Sequence, residues 1–379
     1  MTTEEITKQN KRFLRKYNSF TECCKRFLYK ILIRYDVIFI RCSDGRLGQI
    51  EKMFGLPYGT SKNFINIGGK FKIGSGFFGK LLLEKVEEII NPFFSFRKAC
   101  IVVTYHYSSS QEHLGCAGFS CKTDDAIKYG HDFIDQIDRV FCAHNQKVER
   151  MLIGVCTDTS SLRIHGVGGL YEDVSNLLDF TMVQKYKTFK KLFGGKKTFW
   201  FLFFVLYVSL KNSVNILSWA NKKNTNTLII EHNEQGIAMG RELDWFKSFN
   251  KLLIIGGTYG DHLSHVIETA MKVIVNNTVS GVIPRGGKII LLATGAFDSR
   301  KTSSEALARE EARVNSDALL KYTFRANPEL FSGYDVCVIT GITDQYTKKF
   351  FIIPYNYEQG LRRAKEKYEK YKKTHRMIV

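Results

Sequence analysis

Cys42-Ser43-Asp44-Gly45-Arg46 follows directly on the apolar run Val37–Ile40, and a second apolar run ends in His106, with Cys116 close behind. Two thiols and an imidazole gathered at strand ends are ligands for zinc. Zinc is borderline-soft and four-coordinate, and three protein ligands leave one position open for water. That arrangement suits hydrolytic or hydration chemistry. The cysteines would bind as thiolates and the histidine as neutral imidazole, so affinity falls on acidification.

Two histidines compete for the third ligand position. His113 stands in a His-x-x-Cys spacing with Cys116, which a short loop could close onto one ion. His106 ends the strand-like ACIVVTY run, and a sheet-fixed side chain is the better ligand. The expectation is therefore His106 on the metal, with His113 and His165 as candidates for a supporting or proton-shuttling role. Asp44 and Arg46, two residues apart just past a strand, can face one pocket. An arginine fork orients a carboxylate and keeps it ionised. Asp44 could then accept a hydrogen bond from zinc-bound hydroxide, or, released from Arg46, take the fourth zinc position and switch the site off.

Other polar motifs carry less. Gly68, Gly69, Gly74, Gly76 and Gly79 lack the Gly-Lys-Ser/Thr ending of a phosphate loop and do not form a strand followed by Gly-x-Gly-x-x-Gly, so they are read as close backbone packing. Ser108-Ser109-Ser110 supply hydroxyls beside His106 without a base to activate a nucleophile.

The elements that must position these residues are legible as apolar runs. Val37–Ile40, Cys100–Tyr105 and Met151–Val155 are separated by the helix-like stretches 80–90 and 124–140. This pattern predicts an α/β fold of parallel strands covered by helices, with functional groups at the strands' carboxyl ends. The second half repeats the layout: Leu228–Gly236 stands where IFIRCSDGR stood, and Ile289–Thr294 followed by Gly295 stands where Val102–Tyr105 and His106 stood. A degenerate second copy is expected, with His232 replacing Cys42, Gly295 replacing His106, and no zinc.

At 379 residues the chain exceeds one ordinary core. The expected organisation is a basic helical segment over 1–30, a zinc-binding catalytic domain over 31–185, an apolar connector over 186–225, the degenerate domain over 226–360 and a basic tail over 361–379. The net charge of +19 concentrates at the two ends, read as solvated, partly helical tails that could dock an acidic protein or shell partner. No aromatic-rich binding signature accompanies them, so nucleic acid is not expected. Nine cysteines without a signal-like N-terminus point to a reducing, cytoplasmic compartment, with Cys23, Cys24, Cys100, Cys121, Cys142, Cys156 and Cys337 as buried small hydrophobes. TFWFLFFVLYVSL at 198–210 is shorter than the roughly 20 residues a bilayer span needs. A buried helix or strand between domains is expected there, and membrane contact is not.

Three segments carry a family resemblance: CSDGRL at 42–47, TYHYSSSQEHLGCAGF at 104–119 and LIGVCTDTSSLRIHG at 152–166. They resemble the β-type carbonic anhydrases, most nearly the carboxysome shell branch. The resemblance is faint beyond 166 apart from FDSRKTSSEALAREEARV at 297–314. It implies Cys42, His106 and Cys116 as ligands of Zn2+, Asp44 with Arg46 orienting the hydroxide, and a zinc-free second copy. The implied activity is reversible hydration of carbon dioxide to bicarbonate, favoured at alkaline pH because two thiolates make the bound water less acidic. The implied assembly is a homo-oligomer. The chain is more basic than that branch, has one residue fewer between the ligand His and Cys and shows no long N-terminal extension, so packaging in a carboxysome is not implied. A zinc hydrolase or lyase of other specificity and a noncatalytic zinc scaffold are the alternatives from the residues alone.

Overall fold

The computed structural model describes residues 3–42, 47, 50–66, 70–71, 73, 77–90, 97–110, 115–141, 147–195, 197–223, 253–257, 288–300 and 305–376. The chain divides into two compact units. One takes Tyr17–Cys42 and Arg46–Glu231, the other Met1–Lys16, Ser43–Gly45 and His232–Val379. The calls on Leu228–Gly236, Cys142 and the glycines Gly68, Gly69, Gly74 and Gly76 lie outside the described residues.

The first unit is built on a six-stranded sheet: β1 (Tyr35–Cys42), β2 (Ser61–Asn66), β3 (Lys98–Tyr107), β4 (Val148–Cys156), β5 (Leu162–His165) and β6 (Tyr171–Asp173), in the order β2-β1-β3-β4-β5-β6. The first four are parallel and the last two antiparallel. Strands β1, β3 and β4 read as continuous apolar runs because nearly every position is buried on both faces. Short β5 and β6 alternate with polar residues and carry no such signal.

Helices α1 (Thr3–Tyr17), α2 (Phe20–Ile33), α3 (Ile50–Met53), α4 (Phe77–Ile90), α5 (Thr123–Val140), α6 (Met182–Leu192) and α7 (Phe199–Lys223) complete the first 223 residues. The α5 helix crosses from β3 to β4 and lies close on the sheet. A methyl group at Gly130 would fall 2.4 Å from a Leu152 methyl carbon, so only glycine allows this approach. The apolar run at 198–210 is part of the 25-residue helix α7, within the first unit. Its polar residues point inward: the Asn212 side chain accepts from Leu162 N–H at 3.1 Å and donates to Ser160 C=O at 3.0 Å. Tyr207 donates to Gly55 C=O at 2.6 Å. These bonds satisfy backbone groups that the sheet ladder leaves over at the β4–β5 turn and after α3.

The second unit holds β7 (Leu253–Gly257), β8 (Lys288–Phe297), β9 (Asp335–Asp344) and β10 (Phe350–Ile352), ordered β10-β9-β8-β7. The first three are parallel and β10 returns antiparallel. Helix α8 (Glu305–Ala326) connects β8 to β9, followed by short α9 (Leu330–Gly333) and, after β10, α10 (Tyr357–Arg376). A Cβ at Gly295 would sit 2.0 Å from the Ala308 carbonyl oxygen, and buried Ala308 and Ala312 complete this close contact.

Both basic ends, read as solvated tails, are packed helices of this second unit. Helix α1 buries Ile6, Asn10 and Phe13, and the Asn10 amide donates to Lys348 C=O and accepts from Phe350 N–H, both at 3.0 Å. Helix α10 lies on α8 through the Arg363–Asp317 ion pair at 2.6 Å and an Arg325–Tyr371 hydrogen bond at 2.9 Å. Their cations occupy the outer faces of amphipathic helices, which composition alone does not separate from a tail. Among the cysteines, Cys100 and Cys156 are buried, Cys24, Cys121 and Cys337 half-buried, and Cys23 exposed on α2.

Asn212→Ala would leave Leu162 N–H and Ser160 C=O inside the first unit without their side-chain partner. Urea unfolding of the variant should show a loss of about 2 kcal/mol.

Candidate metal centre

Parallel pairing of β1 with β3 sets the site. Val37 faces Cys100 and Ile40 faces Val103, so the carboxyl ends of both strands reach the same edge of the sheet. Cys42 closes β1, and His106 sits one residue before the end of β3, opposite Val155 of β4. Cys116 arrives from the following loop. Its carbonyl accepts from Phe119 N–H at 2.9 Å and Cys121 N–H at 3.0 Å, which fixes the cysteine at the head of a tight 3-10 turn over Ala117–Phe119.

The three side chains converge. Their ligand atoms all lie within 4.8 Å of one another, and Cys42, His106 and Cys116 are 5%, 2% and 3% exposed. The two sulfurs stand 3.8 Å apart, far beyond a disulfide bond. Two sulfurs each about 2.3 Å from one tetrahedral ion would be separated by roughly 3.8 Å. The donor set therefore fits a borderline-soft dication, and two thiolates would balance its charge. Buried at the sheet edge, these groups can hold a metal in a medium that screens charge poorly.

The predicted residues divide as follows. Cys42, His106 and Cys116 come together, while Asp44, Arg46 and His113 lie outside the described residues. His165, on β5, stands 2.7 Å from the Tyr105 hydroxyl and packs edge-on against His131. Tyr105 and His106 are neighbours on a strand and point to opposite faces, so His165 sits across the sheet from His106. Gly154 makes room for this pair, since a Cβ there would meet the Tyr105 hydroxyl at 2.5 Å. Burial, then the nearby His131 and Arg163, push the His165 imidazole down to about 4. It is neutral at physiological pH, whereas a proton shuttle works best with a pKa near the operating pH.

Sequence reasoning passed over Asp158. Its carboxylate accepts from the Ser108 hydroxyl at 2.8 Å, Ser109 N–H at 2.7 Å and Ser110 N–H at 3.0 Å, with the Ser109 and Ser110 hydroxyls also in reach. Burial alone would raise this carboxyl, but the serine hydroxyls and N–H groups outweigh it and hold it below the usual aspartate value. The serine run is thus an anchoring site for the loop that leaves His106. The available signal was Asp158 itself, an acid just past the end of a strand adjacent to β3. On the other side, Lys70 donates to Gly118 C=O and lies 4.1 Å over the Phe119 ring, bracing the turn that begins at Cys116.

Comparison with known proteins comes to the same region. Residues 25–170 match the family described as carboxysome shell carbonic anhydrase, catalytic domain. A carboxysome shell carbonic anhydrase of Parasynechococcus marenigrum (strain WH8102) is 29% identical over 133 residues, covering 33% of this chain and 23% of that protein. One from Prochlorococcus marinus subsp. pastoris is 25% identical over 311 residues, covering 74% of this chain and 59% of the relative. A third, from Prochlorococcus marinus (strain MIT 9313), is 30% identical over 135 residues, 33% of this chain and 26% of its own length. The chain thus spans between 23% and 59% of the length of the curated relatives it matches, and its first unit carries a carboxysome-shell-carbonic-anhydrase-like domain.

Two outcomes follow from this geometry. Cys116→Ser or His106→Gln should lower metal content, measured by atomic absorption on purified protein, from a single ion per chain to a small fraction. The depressed His165 value means that the unfolded chain binds the extra proton between about 6.5 and about 4. Stability of the first unit should therefore fall as pH drops through that window, and His165→Gln should flatten that slope in urea titrations.

Proposed function

We propose that this chain reversibly hydrates carbon dioxide to bicarbonate at a zinc centre held by Cys42, His106 and Cys116. The observation that carries the proposal is the buried convergence of these three ligands, with sulfurs 3.8 Å apart, inside the segment matched by the carbonic anhydrase catalytic domain. Zinc, when bound, lowers the pKa of a coordinated water and so supplies a nucleophile near neutral pH. The chain's own residues then decide geometry. Asp44, kept ionised by Arg46, accepts a hydrogen bond from the attacking water and turns a lone pair toward the carbon of the substrate. Cys42 and Cys116 place two negative charges beside that oxygen, which favours activity on the alkaline side. Asp158, through Ser108–Ser110, holds the start of the loop between the His106 and Cys116 ligands.

The second unit is proposed as a degenerate copy without metal. Its β7-β8-β9-β10 order and directions parallel β1-β3-β4-β5, with α8 in the place of α5. Details of the turns support the reading. Cys156 and Asp344 open matching hairpins, receiving N–H groups from Ser160 and Lys348, each of which has a positive φ (59° and 62°). Thr157 N–H donates to Tyr107 C=O, as Gln345 N–H does to Phe297 C=O, both at 2.8 Å. Ser299, aligned with Ser109, likewise gives its N–H to a turn carboxylate, that of Asp344, which stands two residues before the position of Asp158. On this alignment Ala296 replaces His106, one residue along from the Gly295 expected from spacing. Ala296 offers no metal ligand. A carboxysome-associated setting extends the proposal from the names of the relatives, and homo-oligomerisation extends it from the family resemblance alone.

Stopped-flow carbon dioxide hydration on zinc-assayed protein at about pH 7 and about pH 8.5 tests the activity. Wild type should be active and faster at the higher pH, and Cys42→Ser should lose both zinc and activity. Asp44→Asn should keep its zinc and lose about 100-fold or more in rate. Full zinc occupancy with no hydration at either pH would contradict the proposal.

A further inference from the structure

Helix α2 is inside out for a helix on the surface of a globular unit. Tyr29 and Ile33 face inward, 4% and 2% exposed, while Phe20, Phe27, Leu28, Ile31 and Leu32 on the other side are each more than half exposed. A surface helix normally turns its polar side to water. Here the outward side is apolar, bordered by Lys25 and Lys30.

Helix α7 runs antiparallel beside it and continues the surface. The Arg34 guanidinium lies 4.1 Å over the Trp200 ring, and the Tyr29 and Tyr207 rings are 6.0 Å apart, so the end of α2 meets the start of α7. Along α7, Phe199, Val214 and Leu217 share one side of the helix and are also more than half exposed. Apolar area of this extent on a soluble unit marks an interaction site.

Charge identifies the partner. Residues 181–223, which supply α6 and α7, contain nine lysines and no aspartate or glutamate, and Lys187, Lys190, Lys191 and Lys211 are exposed. On α2, Lys25, Arg26 and Lys30 face the single acid Glu22, itself paired with Lys25 at 2.6 Å. A second copy docked through the same face would oppose cations to cations. An anionic lipid bilayer answers both features, since apolar side chains enter the acyl boundary and lysines meet the headgroups.

We propose that the outward face of α2 and α7 is a docking surface for an anionic lipid membrane, along which the protein lies without crossing it. Span length makes membrane contact an unexpected reading of the sequence, but length bears on crossing alone. Helix α7 is long and apolar enough to span a bilayer by composition, but Asn212 and Tyr207 bond it to Leu162, Ser160 and Gly55 of its own unit. Its inner side is committed, and contact is in the membrane plane.

The test is flotation of the full chain with vesicles of phosphatidylcholine alone or with about 30% phosphatidylglycerol. Wild type should float with the anionic vesicles only. Phe27→Ser/Ile31→Ser, which keeps every charge, should lose at least about tenfold in bound fraction with an unchanged circular dichroism spectrum. Lys25→Gln/Lys30→Gln, which keeps the apolar face, should lose binding severalfold. Three results would overturn the proposal. They are wild type remaining unbound, the serine variant floating like wild type, which is adsorption by net charge alone, and the serine variant only splitting a larger species in sedimentation, which assigns the face to a second copy.

Discussion

The register of β1 on β3 is the constraint on which the metal centre rests. With Ile40 opposite Val103, the two strands end together, and Cys42 and His106 reach the same edge of the sheet. A slip of one residue would shift Cys42 by about 3.3 Å along the edge relative to His106, enough to break the convergence of ligand atoms that lie within 4.8 Å of one another. Nothing local to either motif enforces this pairing. It follows from burial on both faces of β1, β3 and β4, where any slip would also expose a row of apolar side chains or bury Lys98.

Where the ladder ends, single polar side chains take over. Asp158 gathers the N–H groups and hydroxyls of Ser108–Ser110, Asn212 closes the β4–β5 turn, and Asn10 closes the β9–β10 hairpin. Each reaches backbone groups that have no strand partner, and each does so from a residue distant in sequence. Such bonds are worth more as geometry than as net energy, because the alternative is an unsatisfied group in a poorly solvated place. The Asp158 bonds hold the start of the loop between His106 and Cys116.

Much of this was legible from sequence for a physical reason. Thiol and imidazole at the ends of long apolar runs are rare and chemically pointed, and strands buried on both faces announce themselves without any alternation. The three converging residues and the strands β1, β3, β4 and β8 were therefore readable. Asp158 was not, because its role depends on two strands lying side by side across some fifty residues, and an acid beside a turn has many readings. The apolar run in helix α7 stops at Leu210 because Lys211 and the inward polar residues Asn212 and Ser213 break it without breaking the helix. The basic ends were read by charge, whereas α1 and α10 each keep an apolar or small-residue stripe that docks on the second unit. The outward face of α2 gave no signal, since a helix with apolar residues on both sides reads as one buried throughout.

The most direct test of the central claim is X-ray absorption at the zinc edge on the zinc-loaded full chain. The account predicts a four-coordinate ion with two sulfur neighbours at about 2.3 Å and two nitrogen or oxygen neighbours at about 2.0 Å, one of which exchanges with an added anion. A shell of nitrogen and oxygen alone, or one with three or four sulfurs, would contradict the assignment of Cys42, His106 and Cys116 as the ligand set.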